Sequence, residues 1–193
     1  MFTALLDTCV LWPSLQRDVL LSLAVEGMYR PVWSSAILAE LQYSETAKHR
    51  QHGESDDVAA ARAAYLIGQM REAFNDAETA GWEGLEGSYG LPDPNDEHVV
   101  AAAVVAGAGA IITLNLKDFP ADRLPFGIET LSPAQFAFNT VSLDPHRALQ
   151  AIGKIADRSG HHGPTRTVDE LLELLAARYH FHDAVQVLRS SSY

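Results

Sequence analysis

The sequence predicts a three-layer α/β fold followed by a helical appendage, and three observations support this prediction. Short apolar segments of strand length alternate with longer helical segments as far as residue 131. Strands separated by helices imply right-handed parallel crossovers, which place helices on both faces of a parallel sheet. From Ser132 onward no strand is predicted. We therefore expect an α/β domain over residues 1–132 and a helical extension over residues 133–193.

The first elements of the domain are a strand, a helix, a second strand and a second helix. Residues 2–6 form an apolar run too short for a helix. Residues 10–27 have helical character, with Pro13 near the start, where proline is tolerated. A short strand is predicted over 30–33, and Ser34 is a good N-cap for the helix that follows.

The middle of the domain is predicted to contain a loop and two helices on either side of a turn-rich segment. Residues 48–57 are polar and predict a loop, whereas residues 56–76 predict a long helix rich in alanine. Glycine and proline punctuate residues 81–95. A helix over 96–107 then leads through a glycine turn into the strand predicted over 110–114.

The remaining segments complete the sheet and form the appendage. A last strand is predicted over 127–131. The Ser-Pro pair at 132 and the Asp-Pro pair at 144 begin two helices, and a polar break covers 157–167. Thr167 and Glu170 predict a capping box at the start of a further helix. Residues 182–189 are compatible with a final helix.

Composition places the chain among ordinary globular proteins. Of its 193 residues, 47% are hydrophobic and 20% charged, which suits one well-cored domain with an appendage. The single cysteine, Cys9, excludes a disulfide framework and is typical of a reducing, cytoplasmic environment. No apolar run approaches the roughly 20 residues of a membrane helix. The formal charge of −11 argues against broad electrostatic binding to nucleic acid but leaves room for an acidic, cation-dependent site.

Acidic and amide side chains recur at one end of the predicted parallel sheet. They follow the first strand, lie in the helix after the second strand, begin the helix before the 110–114 strand, and follow that strand. In chain order they are Asp7, Glu40, Asp96, Asn115 and Asp118. Oxygen-rich clusters of this type suit Mg²⁺ or Mn²⁺, and the reaction that such ions commonly assist is phosphodiester hydrolysis.

Three segments carry a resemblance to a known family. They are LLDTCVLW near the start, SSAILAEL around Glu40, and DPNDEHVVAAAVVAGAGAIITLNLKDF in the middle. In this order they resemble PIN-domain ribonucleases, especially the VapC-type toxins of bacterial toxin–antitoxin pairs. Cys9 stands where the family frequently has Asn. The resemblance covers about residues 1–132, and the longer tail resembles the helical extensions of some larger PIN toxins.

The resemblance implies a fold, a reaction and a set of partners. The fold would have a central parallel sheet of four to five strands flanked by helices. The activity would be that of an endoribonuclease, a hydrolase dependent on Mg²⁺ or Mn²⁺ that cuts RNA, with tRNA or rRNA as target. A cognate antitoxin would hold the protein inactive, and the protein would form a homodimer.

The resemblance also implies residue roles. Asp7, Glu40, Asp96 and Asp118 would be the catalytic, metal-binding acids. Asn115 competes with Asp118 for the fourth position. Thr8 and Thr113 would hydrogen-bond the acids, and Asp93 would be a partner of Asp96 or a turn residue. RNA contacts would come from local basic side chains, for which Lys48, Arg50 and Lys117 are candidates.

Other interpretations remain in view. An aspartate-nucleophile phosphatase would need a second acid where Cys9 stands, and a dinucleotide site would need its glycines between a strand and a helix rather than between a helix and a strand. A PIN-like scaffold without catalysis, acting as a binding module, is the main non-enzymatic alternative. A PIN nuclease that processes RNA or cuts DNA is a third hypothesis.

Overall fold

The computed structural model describes residues 1–160 and 164–191. Five strands and nine helices are defined in this part of the chain. The strands are β1 (Thr3–Leu6), β2 (Arg30–Ser34), β3 (Glu78–Thr79), β4 (Ala110–Ile112) and β5 (Glu129–Leu131). The helices are α1 (Thr8–Leu11), α2 (Ser14–Val25), α3 (Ser35–Gln51), α4 (Asp56–Ala73), α5 (Glu97–Ala106), α6 (Pro133–Leu143), α7 (Pro145–Arg158), α8 (Val168–Tyr179) and α9 (His182–Ser190).

The strands form one parallel sheet in the order β3-β2-β1-β4-β5, which confirms the predicted α/β class. The chain moves outward from β1 to β2 and β3, then returns to the other side of β1 to place β4. The order therefore reverses between β1 and β4, and open α/β sheets bind ligands at the carboxyl end of such a reversal. Leu6 pairs with Ile112, so the residues that follow them, Asp7 and Thr113, emerge side by side.

The inner strands are buried because they consist almost entirely of apolar residues. Leu5, Leu6, Ile111 and Ile112 have no solvent exposure, as is usual for strands covered on both faces. Helix α5 packs on β1 and β4 with its alanine-rich face, and Gly107 ends it in the left-handed conformation. This turn directs the chain into β4.

Two local predictions differ from the structure. The helix predicted over 10–27 is divided at Pro13, which has an extended ψ of 114° and is the N-cap residue of α2. The loop predicted over 48–57 is largely helical, because α3 continues to Gln51 before α4 begins at Asp56. Basic side chains in the last turn of α3 complement the helix dipole, which favours this continuation.

The contacts divide the chain into two compact units. One contains Thr3–Trp12 and Pro31–Thr130, and it holds nearly all of the sheet. The other contains Met1–Phe2, Pro13–Arg30 and the chain from Leu131 onward. Within this second unit α2 packs against α7 and α8, and α6 packs against α9. A domain boundary at residue 132 stays a prediction.

The helices that follow residue 132 begin where the sequence predicts. Ser132 caps α6 by accepting a hydrogen bond from the Gln135 N–H, and Thr167 and Glu170 form the predicted capping box of α8. Within the polar break predicted over 157–167, residues 161–163 lie outside the described part of the chain. No helix in residues 1–160 or 164–191 is both long and apolar enough to cross a bilayer.

Candidate active site

Asp7 lies at the carboxyl end of β1 and its side chain is only 8% exposed. Although it occupies the N-cap position of α1, its side chain makes no capping hydrogen bond. Its Oδ2 atom instead accepts hydrogen bonds from the Thr113 hydroxyl at 2.7 Å and the Cys9 thiol at 3.0 Å. In the described part of the chain no donor reaches Oδ1. One carboxylate oxygen is thus held in place while the other is available to a ligand.

Thr113 connects the ends of the two central strands. Its side chain is completely buried, and its hydroxyl accepts a hydrogen bond from the Asn115 N–H at 3.0 Å while it donates to Asp7. The hydroxyl therefore fixes the start of the loop after β4 relative to the Asp7 carboxylate. This agrees with the expectation that Thr113 hydrogen-bonds an acid.

Cys9 supports the same carboxylate from within α1. Its sulfur accepts a hydrogen bond from the Leu114 N–H at 3.2 Å and lies 3.4 Å from the Thr113 hydroxyl. Burial, followed by the charge of Asp7, raises the pKa of the Cys9 thiol to about 12. The thiol consequently stays protonated at neutral pH, where it donates to Asp7 and is a poor nucleophile.

Glu40 lies on α3 and is held by two side chains from other elements. The Thr8 hydroxyl donates to Glu40 Oε2 at 2.6 Å, and His98 Nε2 lies 3.2 Å from Glu40 Oε1. The hydrogen bond with His98 is the largest cause that lowers the pKa of Glu40. Glu40 therefore remains ionised, and Thr8 hydrogen-bonds this acid rather than Asp7.

His98 is a site residue that the sequence reasoning missed. It is 6% exposed on α5, two residues after Asp96, and its Nδ1 atom has no hydrogen-bond partner among the described residues. Burial alone would lower the pKa of His98, but the hydrogen bond and charge of Glu40 raise it above the usual value. A polar residue in the first turn of an otherwise Ala/Val helix was the signal that could have found it.

Asp96 experiences the combined charge of the other acids. Its pKa is raised to about 6, first by burial and then by the negative charges of Asp7, Asp93 and Asp118, against a smaller opposing effect of His98. This response shows that the predicted acids Asp7, Asp96 and Asp118 share one electrostatic environment. Carboxylates close enough to repel one another favour either protonation or a bound cation.

The two acids on either side of Asp96 differ in what they contact. Asp93 accepts hydrogen bonds from the backbone N–H and the side-chain amide of Asn95, both at 2.9 Å, and so caps the 3₁₀ turn that ends at Asp96. Asp118 ends a second 3₁₀ turn, where its N–H donates to the Asn115 carbonyl at 2.9 Å. Asn115 is exposed and makes its hydrogen bonds through its backbone.

Glu97 is a second residue that the sequence did not single out. Its buried carboxylate accepts hydrogen bonds from the Tyr89 N–H at 2.9 Å and the Leu91 N–H at 3.1 Å. Burial opposes ionisation, but these backbone donors hold the pKa of Glu97 below its usual value. The ionised side chain of Glu97 therefore holds the backbone of Tyr89 and Leu91 against the start of α5 by hydrogen bonds.

The donor chemistry fits a hard divalent cation, although the ligands are not gathered around one point. Among the residues that the structure describes, no group of three or more His, Cys, Asp or Glu side chains is arranged to hold a metal ion. Carboxylate oxygens are nevertheless the ligands that Mg²⁺ and Mn²⁺ prefer. The raised pKa of Asp96 shows unneutralised negative charge that such an ion would offset.

The basic residues suggested for RNA contact lie in different surroundings. Lys48 forms an ion pair with Glu45, and its ammonium also lies 5.9 Å from the centre of the Trp12 ring. Arg50 is paired with Asp56 at 2.7 Å on the protein surface. Lys117 is exposed in the 3₁₀ turn that ends at Asp118.

Comparison with protein families identifies the domain that contains Asp7, Glu40 and Asp96. The family model of the PIN domain matches residues 3–117, which is more than half of the chain and includes the acids from Asp7 to Asp96. No curated protein and no solved structure matches the chain significantly. The PIN domain is a nuclease fold, and its members are generally hydrolases. The protein therefore belongs to the PIN-domain family.

Proposed function

We propose that the protein is an endoribonuclease dependent on Mg²⁺ or Mn²⁺, with Asp7, Glu40, Asp96 and Asp118 as its catalytic acids. The geometry at the ends of β1 and β4 supports this most directly, because Asp7 follows β1 and its carboxylate is oriented by Thr113 and Cys9. The negative charges of Asp7 and Asp118, which raise the pKa of Asp96, add to this support. Asp118 is preferred to Asn115 as the fourth group because it adds to this negative field.

Neighbouring side chains would set the orientation and the charge of each acid. Thr113 and Cys9 fix one oxygen of Asp7, so its free oxygen has a defined direction. Thr8 orients Glu40. A bound cation would supply charge neutralisation at the phosphate and acidify a water molecule. Asp96, which lies in the negative field of Asp7 and Asp118, is an acid whose charge a bound cation would offset.

We further propose that this nuclease is the toxin of a toxin–antitoxin pair that acts on tRNA or rRNA. The resemblance to VapC-type toxins supports this role. It also supports two further parts of the proposal, namely that the protein forms a homodimer and that a cognate antitoxin inhibits it. The helices from residue 133 onward would be an extension of the PIN domain.

Cleavage assays on the purified full-length protein test the nuclease proposal. Labelled RNA should be cut in Mg²⁺ or Mn²⁺ and left intact in EDTA. Asp7→Asn and Asp96→Asn should each abolish cutting while the circular dichroism spectrum stays unchanged. Asp122→Asn, which alters an exposed loop acid, is the matched control and should cut normally. Full activity of either site variant would refute the assignment of the acids.

Two other outcomes would support the competing functions. Binding of RNA without cleavage under every cation condition would identify a non-catalytic scaffold. Cleavage of DNA in preference to RNA would identify a DNA nuclease.

For the toxin role, expression of the wild-type chain should arrest bacterial growth, and Asp96→Asn should relieve the arrest. Growth at the normal rate despite active, soluble protein would contradict that role.

A further inference from the structure

A chain of hydrogen bonds joins three helices of the proposed active site. The Thr8 hydroxyl of α1 donates to Glu40 Oε2 at 2.6 Å, and His98 Nε2 of α5 lies 3.2 Å from Glu40 Oε1. Thr8 follows Asp7 directly, and His98 follows Asp96 by two residues. We propose that His98 is a positioning residue, which holds the Glu40 carboxylate in the orientation that a divalent cation requires. This inference rests on the proposed function, because it assigns a further residue to the same site.

The direction of the hydrogen bond follows from its two partners. An ionised carboxylate can only accept, so Nε2 of His98 must carry the hydrogen. A carboxylate has about four lone-pair positions, and Thr8 and His98 each occupy one of them. Both oxygens of Glu40 therefore stay able to bind a cation while the two donors fix their directions.

Glu40 depends on this support because its side chain is half exposed. The Glu40 side chain is 50% exposed on the surface of α3, whereas His98 is buried. The ring of the buried Trp82 packs beside the imidazole, with 5.9 Å between the ring centres, and restricts its movement. A restrained donor of this type limits the rotamers of an exposed carboxylate. Residues that orient a metal ligand in this way raise the affinity of a site without touching the metal.

The second ring nitrogen of His98 indicates that this residue is not present for stability alone. Its Nδ1 atom is buried and has no hydrogen-bond partner among the residues that the structure describes. An unsatisfied buried polar atom lowers the stability of the folded state. The residues that follow in α5 are Val and Ala, and an aliphatic side chain would suit these surroundings better. Departures from local rules of this type are concentrated at functional sites, and the contact with Glu40 is the gain that accompanies the cost.

Proton NMR of the full-length protein in EDTA tests the contact itself. A buried imidazole N–H that donates to a carboxylate exchanges slowly with water and resonates far downfield. The wild type should show such a resonance, and its loss in His98→Gln should assign it. In Glu40→Ala the resonance should move upfield or disappear. Absence of the resonance from the wild type, or an identical resonance in Glu40→Ala, would overturn the proposal.

The affinity for Mn²⁺, measured by electron paramagnetic resonance of the free ion, tests the consequence. His98→Leu removes the donor and should weaken Mn²⁺ binding by about ten-fold or more. His98→Gln should recover most of the affinity, because its side-chain amide can donate to Glu40. His49→Leu is the matched control, because His49 Nδ1 lies 3.3 Å from Oε1 of Glu54, an acid outside the proposed site. This control should bind Mn²⁺ normally.

A stability measurement and a double-mutant cycle separate positioning from a general structural effect. In EDTA, His98→Leu should unfold at the same temperature as the wild type or higher, because it removes the unsatisfied Nδ1. In a Glu40→Ala background, His98→Leu should weaken Mn²⁺ binding by less than about two-fold, because His98 acts through Glu40. An equal loss of affinity in both backgrounds would overturn the positioning role.

Failure of this inference and failure of the proposed function give different results. A wild type that binds Mn²⁺ and cuts RNA, combined with unchanged Mn²⁺ affinity in His98→Leu, would refute the role of His98 and leave the nuclease intact. A wild type that neither binds Mn²⁺ nor cuts RNA in any cation would refute the proposed function. The positioning role would then be refuted with it, even if the N–H resonance is present.

Discussion

Removing the charge of Asp96 should stabilise the cation-free protein while it abolishes activity. The folded state raises the pKa of Asp96 from 3.8 to about 6, so the ionised carboxylate is less favourable in the folded protein than in the unfolded chain. The contribution of Asp96 to the free energy of unfolding is therefore most favourable below pH 3.8. This contribution becomes less favourable as the pH rises towards 6, and it does not recover above that value.

The magnitude can be estimated from the shift. A rise of about two in the pKa of Asp96 corresponds to roughly 3 kcal/mol in the free energy of unfolding. Because Asp96 is partly exposed, solvent screening reduces the expected effect to about 1 kcal/mol. Asp96→Asn should therefore raise Tm by roughly 2–4 °C at pH 8 in EDTA. Below pH 4 the wild-type carboxyl is protonated, so the two proteins should unfold at nearly the same temperature.

Differential scanning calorimetry at several pH values, with and without Mn²⁺, provides the assay. Mn²⁺ should stabilise the wild type more than the variant, because the ion offsets a repulsion that the variant lacks. Asp122→Asn removes an exposed charge outside the cluster and should change stability by less than about 0.5 kcal/mol. A variant less stable than the wild type at pH 8, or a difference that does not vary with pH, would refute the reasoning.

Three further predictions concern other hydrogen-bonded groups. Thr113→Val keeps the side-chain shape but removes the hydroxyl that donates to Asp7, which should lower the free energy of unfolding in urea by roughly 2 kcal/mol; Thr113→Ser should recover most of it, and equal losses in both variants would contradict this role. His98→Leu should raise the pKa of the Glu40 carboxyl in an NMR titration, because His98 is the largest cause of its lowered value; an unchanged pKa would show that the contact is weak in solution. Burial raises the pKa of Tyr29, so above pH 10 the wild type should lose up to about 1.4 kcal/mol of stability per pH unit relative to Tyr29→Phe; parallel stability curves would argue against this burial.

The meeting of the residues after β1 and β4 could be predicted, because chain order and strand direction alone bring the ends of these strands together. A residue after β1 and a residue after β4 must meet if both strands are parallel and adjacent, and Asp7 and Thr113 do so. The start of α5 is recognisable from composition, so Asp96 could be located at that edge as well. These inferences use only local periodicity and the rules of parallel connection.

The contacts that tune these acids could not be predicted. His98 reaches Glu40 across 58 residues, and the Cys9 sulfur meets the Leu114 N–H across 105. Such pairings depend on side-chain rotamers and on the final distance between elements, which no local pattern encodes. Likewise, the charged last turn of α3 resembles a loop in composition, yet it continues a helix that packs against α4.

The unit that contains α2 also imposes an order on folding during synthesis. Helix α2 leaves the ribosome about 120 residues before its partner α7 begins. At ordinary translation rates this interval lasts roughly 6–25 s, and during it Leu20 and Leu23 lack the apolar contacts that bury them in the finished protein. The connectivity therefore leaves the apolar residues of α2 without their α7 partner until synthesis reaches the last quarter of the chain.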